Sequence, residues 1–477
     1  MRIGQTSFVV FSLKVLTSIL GFASTIYFAR ILGPEVLGYY ALVVTLSSWL
    51  TLGTDLGVGG ALTKRISEGD EPNAYFTSGL IIASILGIIC SVGIFVFQDA
   101  VNNYLGSDLA EYVILIVLVQ TIGSILGSVL EGVRLVHISG ALSPLRTGVR
   151  SFVQILLVFV GYEIVGMVVG HVVGGVAVVI VSLIYVTTEI SRPRREHFES
   201  LWNFAKFSWL GGIRGRVFNE IDIVILGIFV APELVGIYSV AWGITNFIGV
   251  FGSSIEQTTF PELSQADAQG QREEFAAIFT DSIKYTGLFA IPGSLGAFAI
   301  AERLLLIYGS KFTQGVTVLV LLMLATLFWD YYNQFLVGLN TLNRPDIAFR
   351  INTIFVLLNV GLNIALVTLF GWVGAAVATA VSAGFGVVLS FFLFSRLLSF
   401  ELPVGELGRQ VLAALLMCTV IVGVQWGIEQ TLESIHNTTF VIGLVALGAG
   451  IYFVVLVAIW PQFRSTVRDN SPITLPF

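Results

Sequence analysis

Long runs of apolar residues, separated by short polar stretches, follow one another along the whole chain. A helix needs about 20 predominantly apolar residues to cross the hydrocarbon core of a bilayer. The stretches that approach this length are residues 7–30, 36–60, 77–98, 111–133, 146–163, 165–187, 204–230, 234–256, 282–301, 315–339, 350–370, 373–396, 408–427 and 438–460. The pattern predicts an all-α polytopic membrane protein with about fourteen transmembrane helices.

The composition strengthens this interpretation. Hydrophobic residues make up 56% of the 477 residues and charged residues only 11%, whereas soluble domains carry about 25% charged residues. The net charge of −6 argues against a nucleic-acid partner. The two cysteines, Cys90 and Cys418, fall inside predicted helices and are interpreted as small core residues.

The distribution of lysine and arginine predicts the orientation of the chain. With the N-terminus placed in the cytoplasm, 18 of the 24 basic residues fall in cytoplasmic regions and 3 in outer regions. Cytoplasmic loops carry an excess of these residues. We therefore expect a multi-pass protein of the cell membrane with both termini cytoplasmic. The remaining three basic residues, Lys14, Arg214 and Arg216, lie inside predicted membrane segments.

An internal repeat divides the chain. Residues 33–41 match residues 231–239 at an offset of 198, with proline, glutamate, glycine and the second tyrosine in common. A second similarity relates residues 166–170 to residues 374–378. The first offset spans six predicted helices, an even number, so both copies should have the same topology. We predict two pseudo-twofold-related six-helix lobes, residues 1–200 and 201–400, followed by two extra helices and a cytoplasmic tail in residues 401–477.

The seventh predicted helix carries an unusual group of charges. Arg214 and Arg216 lie near its middle, and Glu220 and Asp222 follow within two turns. An arginine near the bilayer centre costs at least about 2.5 kcal/mol, so these charges must face water or one another. Arg216 and Glu220 are four residues apart, the spacing of a helical ion pair. Three alternatives stay open: the four residues form a self-neutralised network, the arginines line a water-filled cavity that binds an anionic group, or the seventh helix is misplaced and these residues lie at the membrane interface. Lys14, on the equivalent first helix, would face the same cleft.

Other polar residues within the predicted helices leave similar alternatives. Asp55 and Asp330 are interpreted either as hydrogen-bonding groups between packed helices or as proton or sodium sites. Asn352, Asn359 and Asn363 form one polar stripe, which favours interhelical hydrogen bonds or, for Asn359 and Asn363, the lining of a cavity. His171, between Gly170 and Gly174, is interpreted as a hydrogen-bonded histidine at a closely packed helix contact. We find no Walker A loop, no metalloprotease or CxxC motif, no metal ligand set and no catalytic triad, so no cofactor and no catalytic residue is predicted.

Six degenerate segments in order resemble the polysaccharide and oligosaccharide flippase family, whose superfamily also holds multidrug and toxic compound extrusion transporters and lipid II flippases. The similar segments are residues 28–40, 221–239, 260–264, 308–312, 338–344, and 359–363 with 371–379. The resemblance covers nearly the whole chain. It implies two six-helix lobes that alternate between inward and outward states around a central cavity with cationic residues, and a polyprenyl-phosphate- or diphosphate-linked oligosaccharide as substrate.

Three functional hypotheses follow. The first is a flippase that moves the lipid-linked oligosaccharide to the outer leaflet, with Arg214, Arg216, Lys14, Asn359 and Asn363 as substrate-binding residues. The second is a cation-coupled small-molecule or multidrug exporter of the same superfamily, and the third a membrane glycosyltransferase or polymerase. Sodium, protons or the membrane potential would drive transport, and candidate ion-coupling or charge-pairing residues are Glu220, Asp222, Asp55 and Asp330. Expected partners are the lipid-linked oligosaccharide, membrane lipid and glycan-assembly enzymes, and we expect a monomer.

Overall fold

The computed structural model describes the backbone of residues 3–431 and 436–470, and the side chains there except at 3–16, 207–212, 429–431, 466, 467, 469 and 470. This part of the chain is helical, without a β-strand. The α-helices are α1 (Ile3–Asp55), α2 (Val58–Glu68), α3 (Pro72–Val96), α4 (Gln98–Leu105), α5 (Ala110–Gly132), α6 (Val136–Phe159), α7 (Glu163–Tyr185), α8 (Arg195–Phe229), α9 (Pro232–Ala268), α10 (Arg272–Leu306), α11 (Val316–Thr341), α12 (Pro345–Phe370), α13 (Trp372–Phe394), α14 (Val404–Thr431), α15 (Asn437–Ile459) and α16 (Pro461–Asn470), with a short 3₁₀ helix at Ser310–Gly315.

The predicted all-helical membrane architecture is confirmed. Within the described ranges, eleven helices are long and apolar enough to cross a membrane. Every one of the fourteen predicted segments lies at least largely on a helix. The two numbers differ because α1 contains the first two segments, and because α6 and α8 are too polar to count among the eleven. A total of fourteen membrane crossings therefore stays a prediction.

Helix α1 is two helical arms joined at a kink. Gly33 has φ 77° and ψ 178°, a conformation outside the helical region. Glycine adopts it without the steric penalty of a side chain, and Pro34, which follows, lacks the amide hydrogen that would continue the helical hydrogen bonds. The arms match the predicted segments 7–30 and 36–60, except that the second arm ends at Asp55 and α2 begins at Val58.

The chain forms two compact units, residues 1–239 and 240–477. In the first unit α6 packs on α7, and α5 packs on α2, α3 and α7. Its buried core contains Leu62, Phe76, Ile125 and Leu201, so α8 contributes to this core through its first turns. In the second unit α11 packs on α13 and α10, α12 packs on α13, and α14 packs on α10 and α15. The predicted lobe boundaries at residues 200 and 400 stay a prediction.

The helix pair α6–α7 depends on three glycines in one row of α7. A Cβ atom on Gly166 would lie 2.9 Å from Cβ of Leu157, and one on Gly174 would lie 2.9 Å from the carbonyl oxygen of Arg146. Gly170, between them, contacts Gln154 in the same way. Small residues at this spacing let two helix backbones approach closely, which confirms the predicted role of the glycines around His171 in close packing.

The two copies of the first repeat contact each other reciprocally within the first unit. A Cβ atom on Gly38 would meet the carbonyl group of Pro232, with the carbonyl carbon at 2.6 Å. A Cβ atom on Gly236 would meet the carbonyl group of Pro34, with its carbonyl carbon at 2.8 Å. Gly38 and Gly236 are equivalent in the repeat, and so are Pro34 and Pro232. A contact in which each copy presents the same two residues to the other is what twofold-related segments form.

Candidate functional site

The arginine at the centre of the predicted charge group joins α8 to the second arm of α1. Arg216 donates a hydrogen bond from Nη1 to the carbonyl oxygen of Ser48 at 2.6 Å, and a second to the Ser48 hydroxyl. Ser48 Oγ in turn donates to Glu220 Oε1 at 2.9 Å. Arg216 Nη1 also lies 3.6 Å from Glu220 Oε2, which confirms the ion-pair geometry expected from their spacing.

This three-residue group, Ser48, Arg216 and Glu220, is only partly shielded. The exposed fraction of the side chain is 26% for Arg216 and 27% for Glu220. Arg214 lies half-buried on the same helix, and the side chain of Lys14 lies outside the described residues. The group therefore combines features of both alternatives: the arginine is neutralised locally, and it also keeps surface that a ligand can reach.

Asp222 has a different environment from Glu220, although both lie on α8. It is buried, with 3% of its surface exposed, and accepts a hydrogen bond from the hydroxyl of Tyr238. Tyr238 is itself buried and lies near the end of the second repeat copy, on α9. The Asp222–Tyr238 hydrogen bond therefore fixes the α8–α9 corner, and a structural role for Asp222 fits its geometry.

The predicted ion-site candidates Asp55 and Asp330 also differ from one another. Asp55 Oδ1 accepts a hydrogen bond from the backbone amide of Gly59 at 3.1 Å, so it satisfies an amide at the start of α2. Asp330, on α11, is 5% exposed, and its Oδ2 atom has no hydrogen-bond partner in the described structure. On the same face of α11, Thr326 Oγ1 and the side-chain amide of Gln334 are buried without partners as well. Asp330 thus lies in a row of oxygen-bearing side chains that could hold a small cation.

The asparagine stripe of α12 is engaged in packing. Asn359 and Asn363 have no exposed surface. Asn359 Nδ2 lies 3.4 Å from Thr379 Oγ1 on α13, and Asn363 Nδ2 donates to the Asn359 carbonyl oxygen at 3.1 Å. Asn352 Oδ1 accepts from Tyr332 on α11 at 2.7 Å. The contacts of Asn352 and Asn359 join two helices, whereas Asn363 bonds its own helix. Substrate binding by Asn359 and Asn363 stays a prediction.

A chain of hydrogen bonds, not predicted beyond His171, crosses the interior of the first unit. The His171 ring bonds Tyr40 Oη through Nδ1 at 3.0 Å and Gln120 through Nε2 at 3.1 Å. Gln154 Nε2 donates to the same Tyr40 oxygen at 2.9 Å, and Thr51 Oγ1 donates to Gln120 Oε1 at 3.1 Å. The hydrogen-bonded histidine is confirmed, and α1, α5, α6 and α7 share one polar network.

Sequence reasoning counted Arg146 and Arg150 among the cytoplasmic basic residues, although the predicted segment 146–163 begins at Arg146. Helix α6 begins at Val136, ten residues earlier, so both arginines lie well inside the helix and not at its start. The available signal was the spacing: Arg146, Arg150, Gln154 and Val158 follow one another at intervals of four and share a helix face.

One cluster of ligand-type side chains, Glu71, Glu196 and His197, was found in the described ranges. His197 Nε2 lies 2.7 Å from Glu71 Oε2, and His197 Nδ1 accepts a hydrogen bond from the Arg194 amide at 2.9 Å. Because both ring nitrogens are already engaged, the cluster is explained by the hydrogen bonds that begin α8, and no metal is assigned to it.

The long apolar helices of the described ranges define a multi-pass helical membrane protein. Similarity to solved structures agrees. The lipid II flippase MurJ in an inward closed conformation matches with a TM-score of 0.82 over 96% of this chain and 100% of that chain, at 16% identity. An inward-facing multidrug resistance transporter of the MATE family, in the MOP superfamily, matches with a TM-score of 0.66 over 80% of this chain and 95% of that chain, at 16% identity.

The sequence family is more specific. The profile of the family described as "Polysaccharide biosynthesis protein" matches residues 27–317, and the chain belongs to this family. It is 30% identical to the "Probable low-salt glycan biosynthesis flippase Agl15" of Haloferax volcanii and 28% identical to the "Probable flippase AglR" of the same organism, over 98% of each chain. The expected family is therefore confirmed: the chain belongs to the polysaccharide biosynthesis family and is similar over nearly its whole length to glycan flippases.

Proposed function

We propose that this protein moves a polyprenyl-phosphate- or diphosphate-linked oligosaccharide from the cytoplasmic to the outer leaflet of the cell membrane by alternating access. The observation that carries the proposal is the similarity over 98% of the chain to glycan flippases, in a fold whose first unit contains partly exposed cationic groups. Both chain termini lie in the cytoplasm in this proposal.

The physical difficulty of the reaction lies in the sugar. Each unpaired hydroxyl costs on the order of 1–3 kcal/mol or more to transfer out of water, so a headgroup of several sugars crosses the bilayer too slowly without help. A polar path through the protein removes this barrier while the polyprenyl chain stays in lipid. The network of Tyr40, Gln120, Gln154 and His171 supports such a path because it places hydrogen-bonding groups inside the first unit.

The cationic residues fit the phosphate of the carrier. Arg214, Arg216 and Lys14 are proposed to contact it, since the planar guanidinium group suits phosphate oxygens. Outward movement of an anion is favoured by an inside-negative membrane potential, by about 2.3 kcal/mol per charge per 100 mV. The partial exposure of Arg216 supports this role, and Glu220 would hold its charge when the substrate is absent.

Coupling to a cation provides the second source of energy in the proposal. Asp330, with Thr326 and Gln334, is the best-supported position because their buried oxygens lack partners among the described residues. The same row of residues favours the second candidate function, a cation-coupled exporter of small molecules. Drug-resistance assays in cells whose surface glycans are intact distinguish the two: a flippase confers no resistance.

The proposed function is tested by complementation. The gene is deleted from its host, and the complete surface glycan is measured with the wild type, with Arg214→Gln/Arg216→Gln, and with the control Arg195→Gln, whose exposed guanidinium group contacts Glu199. We expect the wild type and the control to restore the glycan and the double variant to fail while remaining inserted. Normal glycan in the deletion strain would contradict the proposed function, and normal glycan in the double variant would contradict the role of Arg214 and Arg216.

A further inference from the structure

Two arginines on α6 lie far from the helix end. Counted from Val136, Arg146 and Arg150 lie about 15 Å and 21 Å along the axis, at 1.5 Å per residue. The same helix face continues with Gln154 and Val158, which are buried. Both arginines therefore belong to the inward face of α6.

The opposite face of α6 shows where the arginines do not point. Phe152, Leu156 and Phe159 are 71%, 51% and 81% exposed and lie on the other side of the helix at 100° per residue. Such apolar residues form the surface that a membrane protein turns to lipid. The arginine face instead packs on α7, where a Cβ on Gly174 would lie 2.9 Å from Cβ of Arg150.

The arginine pair has no counter-charge among the residues that the structure describes. Neither Arg146 nor Arg150 makes a hydrogen bond or an ion pair with any side chain or backbone group that the structure describes, and the Nε atom of each is shielded from solvent without a partner. Two like charges four residues apart on a helix repel each other. This contrasts with Arg216, which is bonded to Ser48 and paired with Glu220. The pair therefore costs stability unless something else compensates it.

The neighbouring face of α5 provides space beside the pair. Arg146 Nη2 lies 3.9 Å from the position of a Cβ on Gly123, while nothing lies within 4 Å of such an atom on Gly127, one turn away. Gln120 and Ser124 share this face and are half-buried. The exposed apolar residues of α5, Leu115 and Ile122, lie on its opposite side. The space next to the arginines is thus bordered on α5 by polar side chains and glycine, and on α7 by Val178 and Val179.

We propose that Arg146 and Arg150 bind the phosphate group that joins the glycan to its lipid carrier, at a position distinct from Arg216 within the first unit. This inference rests on the proposed function and deepens it. Arginine presents a planar set of donors that matches phosphate oxygens, and hydrogen bonds between charged groups are about twice as strong as neutral ones. A phosphate diester carries one negative charge and a diphosphate linkage carries two, and this charge compensates the arginines where the described residues do not.

The test measures binding directly in the full-length protein in lipid nanodiscs, with polyprenyl monophosphate as the probe. We expect Arg146→Gln/Arg150→Gln to weaken the affinity of the protein for polyprenyl monophosphate at least about tenfold, since each of the two substitutions removes a charge-assisted hydrogen bond. Arg146→Lys/Arg150→Lys, which keeps the charges and loses the planar donors, should show a smaller loss. Arg195→Gln is the matched control and should bind as the wild type does. Unchanged affinity in the glutamine variant would overturn the proposal.

Two further readouts separate the alternatives. In the first, inorganic pyrophosphate is titrated alone. If the binding of pyrophosphate depends on the two arginines and the binding of polyprenyl monophosphate does not, the site takes a free anion and the lipid assignment is wrong. The unfolding temperature of the glutamine variant should equal or exceed that of the wild type, because uncompensated charges are removed; a marked decrease would indicate a structural role and overturn the proposal. None of these measurements requires transport, so failure of flipping in the wild type would contradict the proposed function alone.

Discussion

The reciprocal contact between the repeat copies predicts an unusual result in a double-mutant cycle. In Gly38→Ala the new methyl carbon would lie 2.6 Å from the carbonyl carbon of Pro232, and in Gly236→Ala it would lie 2.8 Å from the carbonyl carbon of Pro34. Real Cβ atoms essentially never come within 3.0 Å of such atoms, and the two carbonyl oxygens lie closer to the new atoms than the carbonyl carbons do. Helices α1 and α9 must therefore separate by about an ångström or more. Overpacking costs about 1–3 kcal/mol, and the better helix propensity of alanine returns up to about 1 kcal/mol. We expect each variant to lose about 1–2 kcal/mol of unfolding free energy.

The double variant distinguishes one shared contact from two independent ones. Once the first methyl group has separated the backbones, the second fits into the gap, so the combined loss should fall short of the sum by at least about 0.5 kcal/mol. Denaturant titration in mixed micelles, followed by tryptophan fluorescence, measures all variants. The control is Gly361→Ala on α12, where nothing lies within 4 Å of the new atom; it should be neutral or stabilising by up to about 1 kcal/mol. Losses that simply add, or single variants that behave like the control, would refute the reciprocal contact.

Three other substitutions test the polar contacts. Glu220→Gln removes the ion pair with Arg216 and should lower the unfolding free energy by about 1–2 kcal/mol, since both side chains are partly exposed. The same unfolding titration measures this loss, and unchanged stability would show that the ion pair contributes nothing. Tyr238→Phe deprives buried Asp222 of its hydroxyl donor and should cost about 1–3 kcal/mol, whereas a stable variant would mean that Asp222 is satisfied by its other contacts. Asp330→Asn should abolish any rise in unfolding temperature that sodium produces over choline in the wild type; a sodium effect that survives the substitution would exclude Asp330 as the coupling site.

The secondary structure was predictable from the sequence because apolar runs long enough to span a bilayer leave little alternative to helix. The start of α6 was not, since polar His137, Ser139 and Ser143 and the helix-breaking Pro144 put the predicted start at Arg146, although the helix begins at Val136. The sequence correctly predicts a boundary near Gly33, between the segments 7–30 and 36–60. Only the structure shows that the chain is helical on both sides of Gly33.

The candidate site was predictable in part, and the limit has a physical cause. The pairing of Arg216 with Glu220 follows from helix geometry, which fixes neighbours four residues apart. Its second partner, Ser48, lies 168 residues away, and a single serine in an apolar helix gives no signal of such a contact. Gly38 and Gly236 were found as a repeat, yet their direct contact depends on how α1 and α9 approach each other.

The most direct test of flippase activity uses purified protein reconstituted into liposomes with a polyprenyl-diphosphate-linked oligosaccharide that carries a fluorescent label on the sugar. A membrane-impermeant quencher reports which leaflet holds the label, in wild-type, Arg214→Gln/Arg216→Gln and protein-free liposomes. We predict that the wild type equilibrates the label between leaflets within the assay while the double variant remains close to protein-free liposomes. Equal rates with and without the wild-type protein would contradict the assignment of this chain as a flippase of such a substrate.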